Sequence, residues 1–314
     1  MKKSLFFVFG TMFLSSMFFA SCKGDDKEDE TPAPDNQENK KEGETHSLEP
    51  GKLDPVVEAK LATKTYTYEG VSFKMIYVQG GTFKMGAQPS DNTKDGYDSH
   101  ASWSESPVHD VTLTSYAIGE TEVTQELWNT LSVKPNEDLE LRSDLIADDK
   151  PIYFMTQKNA KDFIDLLNTR MHRAGTLDPS LQFDLPTEAQ WEYAARGGVN
   201  SKKYYYSGSN SLADVAEKGP DFSAVKSFMP NELGIYDMTG NASELTLDYW
   251  SEDGYITTSE IDPVNDVVDD FVTFRGGLLG SAKDTDFRLT NRMKIPVHNS
   301  PYFMSFRMVL VPVK

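Results

Sequence analysis

The chain has 314 residues, 38% of them hydrophobic, and a formal net charge of -18. That acidity excludes a nucleic-acid binder, which needs a clustered Lys/Arg surface to track phosphates, and it excludes electrostatic attachment to anionic lipid. Cys22 is the single cysteine, which excludes a disulfide framework and leaves core packing to hold the fold together.

Residues 1–21 read as a secretory signal: Lys2 and Lys3 precede an apolar run from Leu5 to Ala20 that is short for a membrane span. Ala20 and Ser21 stand directly before Cys22. This arrangement resembles the lipobox of bacterial lipoproteins, in which the cysteine becomes the acylated first residue, with Phe19 where leucine is more usual. Residues 22–65 are charged and poor in apolar side chains, so they read as a flexible tether that cannot bury enough surface to order itself. Its acidic start, Asp25-Asp26 and Glu28-Asp29-Glu30, resembles the export signal that sends some Bacteroidetes lipoproteins to the outer face of the outer membrane.

Residues 66–314 carry no further linker and no internal repeat, and read as one domain. In VSFKMIYVQGGTFKMG, polar and apolar residues alternate on both sides of Gly80-Gly81, the pattern of a hairpin. A strand follows with Val111 and Leu113 on one face. Thr124 caps a helix bearing Leu127, Trp128 and Leu131. Thr156 caps a second, with Ala160, Phe163, Ile164 and Leu167 at helical spacing and Gly175 beyond its end. Thr187 and Gln190 form a capping box for a third, stopped by Gly197, with Trp191 and Ala194-Ala195 inward and Glu188 and Glu192 outward. Beyond Gly198 the chain is rich in Gly, Asn, Asp, Ser and Pro with little periodicity, the mark of ordered loop.

Taken in order, MIYVQGGTFKMGA, ESPVHDVTLTSYAIGETEVTQELW, LPTEAQWEYAARGG, YYYSGSN, NELGIYDMTGNASEL, FRGG and SFRMVLVP resemble the formylglycine-generating enzyme, or sulfatase-modifying factor, family. The resemblance covers essentially all of residues 70–312. It implies an α+β, C-type-lectin-like single domain with low regular secondary structure. The family's enzymes oxidise a cysteine of a client sulfatase with two active-site cysteines, copper and oxygen. The matching positions here hold Asp286 and Asn291. Neither supplies the soft thiolate that Cu(I) prefers, so no copper and no formylglycine-generating activity are expected. The family also holds structural calcium. One site carries over to Asp237 and Glu244 by side chain and to Gly240 and Ala242 by backbone carbonyl, with Ser243 and Leu245 where tryptophans usually flank the glutamate. The family's second calcium site has no clear match between Ser211 and Phe222.

The remaining candidates are basic and amide groups in an acidic chain. Arg275, Lys283, Arg288, Asn291, Arg292 and Lys294 cluster after the paired glycine, and such groups suit carboxylate, peptide backbone or sugar hydroxyls. Arg288 and Arg307 also match arginines that the family uses for internal pairing. His298 lies where the family has its active-site rim. The other histidines form no metal spacing, and acid pairs such as Asp284 with Asp286 are too common here to single out a hydrolase. The expectation is therefore an exported outer-membrane lipoprotein, held in the membrane by its lipid alone and displayed on the cell surface. Its domain would have lost the catalytic cysteines and would bind an envelope protein, peptide or glycan, or act as a scaffold for one. The alternatives are an enzyme of a different, oxidative reaction type in the same cleft, and a ligand-binding domain like the variable receptors that share this fold.

Overall fold

The computed structural model describes residues 49, 51–131, 145–255 and 261–313. Cys22, the signal and most of the expected tether lie outside the described residues. Within residues 22–65 the structure already forms α1 (Pro55–Lys60), which starts on Pro55 and is capped by Asp54, whose Oδ1 accepts from the Val56 N–H at 2.7 Å. The ordered part thus begins upstream of Tyr66. Few apolar residues are needed there, because Leu61, fully buried, anchors the turn that follows α1.

Three sheets build the domain. The first has five strands in the order β1 (Lys64–Tyr68), β2 (Val71–Val78), β5 (Tyr116–Gly119), β11 (Val309–Pro312) and β6 (Leu181–Asp184), all antiparallel. The second has four, in the order β10 (Met304–Ser305), β7 (Ser243–Tyr249), β8 (Phe271–Arg275) and β9 (Met293–Pro296). The third is the two-stranded pair of β3 (Gly81–Met85) and β4 (His109–Leu113). The expected hairpin at Gly80-Gly81 does not form. Instead β2 turns back onto β1 through Glu69 and Gly70, both at positive φ, while Gly80 carries the chain from one sheet to another. A Cβ on Gly80 would lie 2.4 Å from the Leu113 carbonyl oxygen, so glycine is required by close backbone approach. Alternation holds along β3 but not along β2, where the neighbours Met75 and Ile76 are both buried, and it is silent on which partner a strand chooses.

The helices follow the sequence closely. In α2 (Gln125–Asn129) the Thr124 hydroxyl accepts from the Leu127 N–H, and in α3 (Gln157–Ala174) Thr156 and Asn159 form a capping box, with Gly175 left-handed at the C-terminus. The Thr187–Gln190 capping box opens α4 (Glu188–Ala195); α5 (Leu212–Val215) is a single turn. The Trp128 and Phe163 rings stack at 4.9 Å, with Phe306 edge-on to both, tying α2 and α3 to the strand region before β11. A second apolar cluster, centred on Trp191, Val111, Leu113 and Ile118, lies under α4. The fold is the α+β arrangement expected, with few helices and much ordered loop.

Candidate functional site

The segment 275–294 is built around buried arginines, and α4 is their counterpart. Glu188 and Glu192, expected on the wet face, are 2% and 0% exposed. Arg292 donates Nε and Nη2 to the two Glu188 oxygens at 2.7 and 2.6 Å, and Nη1 to the Ser104 carbonyl. Its guanidinium lies between the Trp250 and Tyr255 rings, 4.8 and 4.2 Å from their centroids. Arg275 pairs with Glu192 and donates to the Thr290 and Asn291 carbonyls. Arg288 grips Glu105 with two N–H groups and also reaches Asp98. Burial alone would lower each guanidinium, yet each is held above its ordinary pKa, Arg288 and Arg292 chiefly by the glutamates facing them and Arg275 by Tyr255 and then Glu192. Arg275, Arg288 and Arg292 therefore correct the expectation of a ligand-binding basic set: Arg288 and Arg292 spend Nε and both Nη groups inside the fold, and Arg275 spends both Nη groups there, with its buried Nε left without a partner. Charge alone could not reveal this, because the matching glutamates lie on α4 and on the Ser102–Glu105 turn, far away in sequence.

The rest of that set divides. Asn291 donates to the Asp286 carbonyl at 2.8 Å, and the Asp286 carboxylate accepts from the Ser281 hydroxyl. The two positions where the resemblance puts catalytic thiols thus support the local turn. Lys283 and His298 are exposed. Lys294 pairs with Glu252 over the Phe271 and Trp250 rings.

The two carboxylates carried over as calcium ligands already have partners within the protein. Arg307 holds both Glu244 oxygens at 2.6 Å, and the Trp191 Nε1–H donates to Oε2 as well. Glu244 is thus already neutralised. Asp237 accepts from the Lys226 N–H, Gly240 donates to the Gly276 carbonyl, and the Ala242 N–H donates to Glu122. Glu122, absent from the expected set, is 2% exposed, and its Oε2 has no partner. Burial and mutual repulsion push Glu122 well above the usual carboxylate range, and burial is the main cause raising Asp237 beside it. Among the described residues no group of three or more His, Cys, Asp or Glu side chains is disposed to hold a metal.

Beside the Leu289–Thr290 end of the segment opens a cleft of about 690 Å³. One wall is β3, from Gly81 to Lys84. The others come from the Asp95–Asp98 loop, from Tyr193 of α4 and Arg196 just past its end, and from the Lys203–Tyr205 stretch. The Phe83 and Tyr193 rings, both lining it, meet at 5.0 Å, and Tyr97, also lining it, is 45% exposed. Burial, together with Asp98, pushes the Tyr205 hydroxyl up to about 12. That hydroxyl is 3.3 Å from His100 Nδ1. The volume is in the range of sites that enclose small ligands or peptide side chains, with aromatic walls and a few polar groups. These aromatic residues were not singled out from the sequence. Tyr97 and Tyr204 carry no periodic signal, and only folding brings their loops against β3.

Comparison with known proteins places this geometry. The domain described as "Sulfatase-modifying factor enzyme 1-like domain" matches residues 64–311. The formylglycine-generating enzyme of Thermomonospora curvata is 37% identical over 98 residues, covering 25% of this chain and 32% of that protein. The match therefore spans about a third of that enzyme. Among solved structures, Treponema denticola variable protein 1 superposes with a TM-score of 0.61 at 23% identity, covering 79% of this chain and 98% of its own. PvdO from Pseudomonas aeruginosa does so with a TM-score of 0.64 at 20% identity, covering 84% and 99%. At those identities the two structures establish the shared fold. The match over residues 64–311, on a fold built as these relatives are built, makes the chain a member of the sulfatase-modifying factor enzyme 1-like family.

Proposed function

We propose that this chain is a lipid-anchored, exported binding or scaffold module of the outer membrane, displayed on the cell surface, that holds an envelope protein, peptide or glycan and does not generate formylglycine. The observation that carries this reading is the pairing of two features. Asp286 and Asn291, in place of the catalytic cysteines, are engaged in local hydrogen bonds, and the adjacent aromatic cleft stays open. Neither side chain is a redox group or a soft metal ligand, so thiol-based oxidation has no starting point there. In place of calcium, Arg307 supplies the cation that Glu244 needs, so the fold would not require the metal.

The test is a cross-linked pull-down of the full-length lipoprotein from its own envelope, against a variant with Tyr97, Lys203 and Tyr204 all changed to alanine. These side chains line the cleft, so the variant leaves the buried ion pairs intact. A stoichiometric partner lost in the variant is the expected result. The same proteins captured by both would overturn the reading, as would formylglycine formed on a sulfatase peptide supplied with copper and oxygen.

A further inference from the structure

The third sheet has an open edge, and that edge faces the cleft. In the β3–β4 pair, Thr82 lies opposite Thr112 and Lys84 opposite Asp110. The Thr112 carbonyl accepts from the Asp262 N–H, on the side of β4 away from β3, and the Thr114 N–H donates to the Asp262 carboxylate on that same side. In an antiparallel ladder both backbone groups of a residue point the same way, alternating along the strand. Thr82 is thus a non-hydrogen-bonded position, and the N–H and C=O groups of Thr82 and Lys84 point away from β4. Gly86 has the same parity and confirms the direction. Its N–H donates to Glu192, and its carbonyl accepts from Arg196, a lining residue of the cleft. At Gly86 α4 satisfies the edge; at Thr82 and Lys84 nothing among the described residues does. Both side chains are turned onto β4, Thr82 to Thr112 and Lys84 to Asp110, so neither covers the backbone.

We propose, building on the binding reading above, that the occupant of this cleft is an extended protein segment that adds as a strand to the Thr82–Lys84 edge of β3. An unpaired edge is a template for another chain, and strand addition draws affinity from main-chain hydrogen bonds and selectivity from pockets for alternate side chains. The free groups recur at about 7 Å, the two-residue repeat of a strand, which a peptide backbone matches and a sugar does not. The Phe83 and Tyr193 rings would receive an apolar side chain from the added strand. Asp95 and Lys203 line the cleft and form no ion pair among the described residues. They would select a segment carrying one charge of each sign.

The test uses the full-length chain and a displayed library of random peptides of about seven residues, followed by affinities of a selected peptide N-methylated one position at a time. Strand addition predicts alternation. Methylation at every second residue weakens binding about tenfold, as expected for a lost hydrogen bond, and the intervening residues tolerate it. Thr82→Pro removes an outward N–H without touching the β3–β4 ladder, so it should weaken binding about tenfold. If Thr82→Pro fails to fold, the methylation pattern decides. An absence of alternation overturns the proposal, as does a library without binders when a glycan array gives a cleft-dependent ligand. In either case the binding reading stands if the Tyr97, Lys203 and Tyr204 variant still loses its envelope partner, and falls with the proposal if it does not.

Discussion

Arg292→Ala tests whether the arginines after the paired glycine serve the fold or a ligand. The guanidinium satisfies both oxygens of Glu188, accepts packing from the Trp250 and Tyr255 rings, and caps the Ser104 carbonyl. Its side chain and that of Glu188 are each 3% exposed. Removing one member of a buried pair costs roughly 3–5 kcal/mol, and Arg275, whose Nη1 stands 3.7 Å from a Glu188 oxygen, offsets only part of the charge left behind. The aromatic contacts overlap with that figure, so we expect about 4 kcal/mol in total. Against the ~5–15 kcal/mol typical of a domain, this removes a large share of stability. Urea unfolding at pH 7 measures it as a lower midpoint at unchanged slope. Arg292→Lys, which keeps the charge but loses the fork and the stacking, should fall between. Replacing Arg292 and Glu188 together by methionine and leucine should recover most of the loss, since a buried pair is often no better than apolar side chains of similar volume. If Arg292→Ala folds and loses less than about 1 kcal/mol, the size of an exposed pair, the structural account is wrong and the guanidinium is free for a ligand.

Other outcomes follow from the same geometry. Burial, with the neighbouring Glu188 adding to it, pushes Asp248 up to about 7. An unfolded aspartate releases its proton near 4, so between those values the folded state binds more protons, and stability falls as pH rises from about 4 to 7 and then levels. Asp248→Asn should remove up to about 4 kcal/mol of that slope, three units at 1.36 each, and parallel curves for parent and variant from pH 4 to 8 would refute it. Stripping the protein with EDTA should leave the melting temperature unchanged, because Arg307 neutralises Glu244; a drop of several degrees restored by calcium would place a cation on Glu122 and Asp237 instead. Gly277→Ala should cost about 2 kcal/mol or more, because Gly277 has φ +102° and its Cβ would meet Phe287 at 2.8 Å; an unfolding midpoint equal to the parent's would show that the turn relaxes.

Much of the local structure was legible in the sequence. Thr124, Thr156 and Thr187 cap helices where their spacing says they should, and Gly175 ends α3 in the left-handed conformation. These signals are short-range: a cap and the N–H it accepts from are three residues apart, so the sequence itself brings them together. The ordered motifs between residues 70 and 312 likewise carried the α+β family fold.

What the tertiary structure alone decided is every pairing across distance. The strand after Gly80-Gly81 joins β4 and not β2, because alternation says which residues share a face and nothing about which strand lies alongside. Glu188 and Glu192 look solvent-facing on a helix wheel, yet they are buried because Arg292 and Arg275 arrive from the far end of the chain to neutralise them. The open edge of β3 could not be read either, since a free N–H differs from a paired one only by what stands beside it. Local geometry is written in neighbouring residues. Burial of charge and vacancy of an edge depend on which distant segments meet, and that is fixed only when the whole chain has packed.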